Sequence, residues 1–356
     1  MATLSEFRSW PVVEVTSNFG AAEMAGKLLA DLGCPVTQLA IESPQSDLES
    51  HEIELHELVS RGKDRVVTNW SDSDALAQLL AGAAILLVDR EGMQKIQTAL
   101  GSLELCARFP SLTVLACTWF GIEGPMAHWH GSEEIVQAVT GIMSITGPLG
   151  GAPTRIAGAP MAFSAAMYAV TSVIAAVLRK RDPRDGDEPA RLLDVSVYDA
   201  ALSFHSSSLP VYFLTGQAPA GVGNRHRMWA PWNSYQCADG WVIVCTGSNA
   251  NWVRLCETIG RPEMPGDPLF AKSEDRLTNI DALDANITAW TLCRPVAEVE
   301  QVLNDASIAA GSILALHDVL VHPQFLTRNL LDGASNGRHA GPVFHLNREP
   351  LEPAHD

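Results

Sequence analysis

Residues 11–42 read PVVEVTSNFGAAEMAGKLLADLGCPVTQLAIE. PVVEV is an apolar run of strand length, Gly20 marks a turn, AAEMAGKLLADLG repeats apolar residues at helical spacing, and PVTQLAIE is a second apolar run. Strand, helix and strand in so short a span form a βαβ unit, and such units build parallel sheets. The pattern recurs more weakly in RVVTNW (65–70), a helix near 73–80, AAILLVD (83–89), a helix over 94–100 and LTVLACTWF (112–120). The first 120 or so residues are therefore expected to form a doubly wound α/β layer.

Beyond that layer the patterning changes. Residues 132–205 read as largely helical, interrupted by TGPLGGAPTR (146–155) and by the hydrophilic RDPRDGDEPAR (181–191), an expected surface loop. A glycine-rich stretch, TGQAPAGVGNRHR (215–227), precedes YQCADGWVIVCT (235–246), which reads as two short strands around an Asp239-Gly240 turn. Helices are expected over 251–259, 280–292 and 296–304. The resulting division is a large α/β domain over 1–224 and a smaller α+β domain over 225–330. A length of 356 residues suits two domains better than one.

Composition narrows the classes of partner. Hydrophobic residues make up 47% and charged residues 18%, a globular balance. Lysine and arginine number 24 against 41 acidic residues, and the net charge of -17 repels phosphate backbones and anionic lipid alike. Neither nucleic acid nor a membrane is expected as partner. The seven cysteines are scattered and form no C-x-x-C pair, as reduced thiols of a cytoplasmic protein would be. The N-terminal residues MATLSEFRSW lack the basic and apolar regions of a secretory signal. The uncharged run 161–178 reaches the lower bound for a membrane span, but its alanines, serines and threonine suit a closely packed soluble helix better.

Candidate chemistry is sparse. The first turn, FGAAEMAG, lacks G-x-G-x-x-G, so Glu42 in the place of a ribose-binding acid leaves hydride transfer to a nicotinamide a runner-up without its fingerprint. A nucleotide could still bind in the crevice outside the carboxyl ends of the strands. His128 and His130 have no third ligand in local spacing, and no metal is expected. No G-x-S-x-G elbow is present. Glu133 stands out: Ser132 is an expected N-cap, which puts Glu133 in a first helical turn where amides and the helix dipole favour a carboxylate. An ionised carboxylate is available as a nucleophile, although acidic residues also occupy first turns for stability alone.

Eight segments in order carry a resemblance: LLADLGCPVTQLAIESP, RGKDRVV, FGIEGPMA, EIVQAVTGIMSITG, LLDVSVYDAAL, YQCADGWVIV, NANW and HDVLVHPQFLTRNLL. Together they resemble the class III CoA-transferases of the CaiB/BaiF type, which include formyl-CoA transferase, carnitine CoA-transferase and α-methylacyl-CoA racemase. In that family a catalytic aspartate precedes the glutamine of Q-A-x-x-G by four residues. That register falls on Glu133 before Gln137-Ala138-Val139-Thr140-Gly141. The resemblance implies that the carboxylate attacks an acyl-CoA, forms a mixed anhydride and then an enzyme thioester, and loads CoA onto an acceptor acid. A glutamate in place of aspartate moves the reacting oxygen by about an ångström, which matters for near-attack geometry.

For coenzyme A the resemblance points to Glu42, Ser43 and Pro44 after the second strand, to Arg61 and Lys63, and to Arg90, with the basic residues meeting the ADP phosphates. DREGM around Arg90 departs from the family's R-P-G pattern. Gly221 and Gly223 fall where some members have a mobile loop over the intermediate. The racemase branch's two bases are missing, with Ser132 at one position and Ala162 and Phe163 at the other. The family fold implies a Rossmann-like large domain to which residues 331–356 return, and a dimer of interlocked rings. Two alternatives stay open beside transfer: a noncatalytic subunit in a heterodimer with an active homologue, and an isomerase, racemase-like or hydrolytic acyl-CoA enzyme. The apolar Met143, Trp229 and Trp232 suggest an acyl group larger than formate.

Overall fold

Six strands hydrogen-bond into one sheet: β1 (Val12–Val15), β2 (Val36–Ala40), β3 (Asp64–Val67), β4 (Ile85–Val88), β5 (Thr113–Thr118) and β6 (Leu192–Ser196). The computed structural model describes residues 6–17, 20–40, 59–101, 105–179 and 191–328, the backbone of Ser5 and Lys180, and four two-residue strand segments beyond them. The spatial order is β3-β2-β1-β4-β5-β6 and every pairing is parallel. The order reverses between β1 and β4, which leaves a crevice where the connections leave in opposite directions.

Alternation along the strands explains the layers. Val12, Ile85, Leu87, Leu115 and Cys117 share one core with helices α1 (Ala21–Asp31), α5 (Pro160–Lys180) and α6 (Val197–Leu202). Val13, Val15, Leu86, Val88, Val114 and Ala116 face the other way, onto α2 (Ser73–Gly82) and α3 (Arg90–Leu100). Strands buried on both faces read as continuous apolar runs, which is why PVVEV and AAILLVD show no polar alternation. Glu14 is the exception, and it is fully buried on the α1 face.

The expected strands and helices of the first 120 residues are present, each within a few residues of its reading. Residues 132–205 are largely helical, as expected, with one strand the sequence reading does not name, because LLDVS forms β6. Among the described residues it pairs on one side only, with β5, and Leu192 is 48% exposed, so an edge strand shows weaker apolar patterning than its neighbours. Helix α5 buries Ala162, Ala165, Ala166, Ala169 and Val173 and exposes Phe163, Met167 and Tyr168. Its small side chains let α1 approach closely, while half of its apolar length lies inside the fold.

Contacts divide the described residues into two units. The first holds the sheet, with residues up to Met143, 155–218 and the C-terminal strand segments; the second holds 144–154 and 219–328. The sequence places that boundary six residues later and does not foresee the excursion at 144–154. The second unit is an antiparallel sheet of β7 (Trp232–Gln236), β8 (Trp241–Cys245) and β9 (Ala309–Ser312), backed by α7 (Asn249–Thr258), α8 (Ile280–Thr291) and α9 (Val296–Asp305). Tyr235, Val242, Val244, Trp252, Leu255, Leu283 and Val299 form its core.

Candidate active site

The carboxyl ends of β1, β4 and β5 open into a cleft of about 770 Å³ in the first unit. Gly20, Ala21, Ala22 and Met24 form one wall at the start of α1, and Asp89, Arg90 and Glu91 form another at the start of α3. Residues 117–120 at the end of β5, Ala127, residues 129–134, Gly158, Ala159, Ala162 and Phe163 at the start of α5, and Val197 complete it. This is the crevice that the reversal of strand order creates.

Glu133 opens helix α4 (Glu133–Val139), and the Ser132 hydroxyl caps that helix by accepting from Ile135 N at 3.3 Å. The Glu133 carboxylate reaches across to the start of α5 while keeping one partner on its own helix. Oε1 accepts from Met161 N at 3.0 Å and from Gln137 Nε2 at 2.9 Å, and Oε2 accepts from Ala162 N at 3.0 Å. The reason lies in α5. Its first intrahelical bond runs from Phe163 N to Ala159 O, so Ala159 is the N-cap residue and has no side-chain acceptor to offer. Glu133 supplies from another helix the cap that Ala159 lacks, at the positive end of a 21-residue helix.

Gln137, fully buried one turn along α4, holds this arrangement by donating to Ile156 O at 3.1 Å and accepting from Ile156 N at 2.8 Å. Glu133 is 7% exposed. Two donors occupy Oε1 and one occupies Oε2, so a lone pair on Oε2 is left for chemistry. The next residue, Glu134, is exposed and pairs with Arg155 at 3.4 Å.

Asp89 caps α3, accepting from Gly92 N at 2.7 Å, and reaches across the strand-order reversal to accept from Ser17 N at 2.7 Å and Ser17 Oγ at 2.8 Å. Burial pushes its carboxyl above the usual range, against those hydrogen bonds. The start of α3 packs onto β1 so closely that a Cβ on Gly92 would lie 1.8 Å from Val15 O, and only glycine fits.

The other expected site residues separate. Arg90 lines the cleft and donates to Trp129 O at 3.4 Å. Lys63 points into the interior, with Nζ 2.8 Å from Glu14 Oε2 and the side chain fully buried, so the ammonium does not face the cleft. Arg61 is half-buried in the turn before β3. Glu42, Ser43 and Pro44 lie outside the described residues. Gly221 and Gly223 belong to the second unit, where Gly223 N donates to Gly147 O at 2.7 Å and a Cβ on Gly221 would meet that same oxygen at 2.5 Å. Of the three apolar candidates, none lines the cleft, whose aromatic walls are Trp119, Phe120, Trp129 and Phe163. Among the described residues no group of three His, Cys, Asp or Glu side chains could hold a metal ion.

Solved structures of similar fold include a CaiB/BaiF family protein from Brucella suis, with a TM-score of 0.81 and 22% identity over 97% of this chain and 94% of that one. Rv3272 from Mycobacterium tuberculosis superposes with a TM-score of 0.80 and 22% identity, covering 96% of this chain and 93% of that one. The profile of CoA-transferase family III matches residues 10–355, and the chain belongs to that family. Among its relatives, the acetyl-CoA:oxalate CoA-transferase of Acetobacter aceti is 33% identical over 277 residues, 77% of this chain and 70% of that protein. The succinyl-CoA–D-citramalate CoA-transferase of Chloroflexus aurantiacus is 28% identical over 329 residues, 88% of this chain and 80% of that protein.

Proposed function

We propose that the chain binds an acyl-CoA in the cleft at the ends of β1, β4 and β5 and moves its CoA to an organic acid, with Glu133 as the covalent carrier. The observation that carries this reading is a carboxylate with one uncommitted lone pair on the wall of that cleft. Glu133 Oε2 attacks the thioester carbonyl and expels CoA thiolate, giving a mixed anhydride. The thiolate then attacks the glutamyl carbonyl and releases the donor acid, leaving a glutamyl-CoA thioester. The acceptor carboxylate attacks that thioester, and the thiolate it frees attacks the acceptor's acyl carbon, which yields the new acyl-CoA and restores Glu133. Before the first attack the Met161 and Ala162 amides hold the carboxylate in one orientation.

Related transferases named for oxalate, citramalate and glutarate support a small carboxylic acid as acceptor. The 3-2-1-4-5-6 strand order supports reading the large domain as Rossmann-like, and the position of Arg90 on the cleft wall supports a role for it toward a CoA phosphate. Arg61, Glu42, Ser43 and Pro44 belong to this reading on resemblance alone. The exposed Phe163, Met167 and Tyr168, with Phe213 and Leu214, support burial against a second subunit, as an interlocked dimer requires. Seven free cysteines support a reducing, cytoplasmic setting.

A second reading, a noncatalytic subunit paired with an active homologue, draws on the three hydrogen bonds that commit the Glu133 carboxylate to capping α5. Incubation with succinyl-CoA or acetyl-CoA and an acceptor acid, followed by peptide mass spectrometry, separates the two. A CoA adduct on the Glu133 peptide during turnover is the expected result. Turnover without that adduct overturns Glu133 as carrier, and turnover only after addition of a homologous subunit establishes the second reading.

A further inference from the structure

Glu14 sits in the middle of β1 with no exposure to water, on the face packed against α1. A carboxylate in such a place requires a counter-charge and hydrogen-bond donors. Lys63 Nζ lies 2.9 Å from Oε1 and 2.8 Å from Oε2, and both side chains are fully buried. Gln38 Nε2 donates to Glu14 Oε1 at 2.9 Å and to Glu23 Oε1 at 3.0 Å, and Thr16 Oγ1 donates to Glu14 Oε1 at 3.1 Å. The same ammonium donates to the backbone oxygen of Glu23 at 2.9 Å. One lysine thus joins β1, the turn leading into β3 and the first turn of α1.

That first turn is a wall of the cleft, through Ala21, Ala22 and Met24. Gly26 admits the network: a Cβ there would fall 1.7 Å from Glu14 Oε2 and 3.0 Å from Lys63 Nζ. Burial drives the Glu14 carboxyl above its usual range and Lys63 opposes that shift, so withdrawing the ammonium would leave Glu14 to protonate or to pull water inside. An ammonium held this way cannot swing out to a phosphate without breaking the whole set.

We infer that Lys63 is a positioning residue, which sets the first turn of α1 as the wall along which an acyl-CoA lies and does not itself touch the CoA phosphates. The inference rests on the reading of the cleft as the acyl-CoA site. Its test compares Lys63→Met, Glu14→Gln and the double variant with the wild type in two measurements. One is calorimetric titration with CoA; the other is hydrogen exchange of the α1 peptide in the CoA-free protein.

Lys63→Met is expected to weaken CoA binding about tenfold or more and to speed exchange in the first turn of α1. The double variant, which removes both members of the buried Lys63–Glu14 pair, is expected to return both to within about threefold of wild type. A double variant as weak for CoA as Lys63→Met, with native exchange, overturns the inference in favour of direct phosphate contact. Normal CoA affinity and normal exchange in a folded Lys63→Met also overturn it. If Lys63→Met does not fold, the double variant alone decides by the same criteria. If the wild type takes up no CoA, the proposed function falls, and the exchange measurement still decides whether Lys63 sets the turn.

Discussion

Glu14 and Glu133 are both carboxylates withdrawn from water in the first unit, and the chain neutralises them by different means. Glu14 receives a full positive charge from Lys63, together with donors from Gln38 and Thr16, and is sealed between strand and helix. Glu133 receives only backbone amides and one glutamine, and it lines a cleft. A formal counter-charge removes the negative charge as a chemical resource. The partial charges of a helix terminus stabilise a carboxylate without supplying a formal counter-charge, which suits the carrier role proposed for Glu133. On the proposed reading, burial alone does not separate a structural acid from a carrier, whereas the identity of the donors does.

The sharpest way to test that contrast is Glu133→Gln, expected to reduce CoA transfer about 10³-fold or more while the protein stays folded, as steady-state kinetics and a melting curve would show. The amide oxygen can still accept from Met161, so the expected stability loss is only about 1–2 kcal/mol. Lys63→Met is expected to lower the unfolding free energy by about 3–5 kcal/mol in urea titration, and adding Glu14→Gln should recover most of it. Gly26→Ala, which drives a Cβ into the Glu14 carboxylate, should cost about 1–3 kcal/mol in the same titration.

The smallest expected effect concerns Asp89, a third carboxylate of the first unit, held by the Ser17 and Gly92 donors. Its folded-state pKa is raised by burial, so the folded chain holds that proton more tightly than the unfolded chain does. Its contribution to stability is fully present below the ordinary carboxylate pKa, near about 4, and is lost as pH rises through the raised value. Asp89→Asn should flatten that part of the melting temperature profile. An unchanged slope would show that the Ser17 and Gly92 hydrogen bonds offset burial in full.

Much of the sheet was legible because its strands are short apolar runs set between helices of clear period, and buried parallel strands have few other options. The helix beginning after Ser132 was legible from its cap. What the carboxylate of Glu133 does there was not, because its partners, Met161 and Ala162, are remote in sequence and are backbone groups, which carry no residue-type signature. One clue was available: a long helix starting at Ala159-Pro160 has no capping side chain of its own. The resemblance sets Lys63 among the CoA contacts, and its charged neighbours Arg61, Asp64 and Arg65 give no sign that its side chain is buried. The charge in the middle of PVVEV was the sign that some lysine or arginine had to be drawn inside. The third strand of the small sheet, AAGS, lacks the β-branched residues that would have announced it.

The way α5 obtains its cap has a consequence for the chain while it is still on the ribosome. A nascent polypeptide that has emerged past Gln137 but not past Ala162 holds a glutamate whose two amide partners have not yet been made. The cleft is further from completion still, since its last wall residue is Val197 and the edge strand β6 comes just before it. The early βαβ unit can settle as it appears, in the order of synthesis. The Glu133 carboxylate can take up its capped orientation only afterwards, so the proposed carrier is set in place later in synthesis than the βαβ unit.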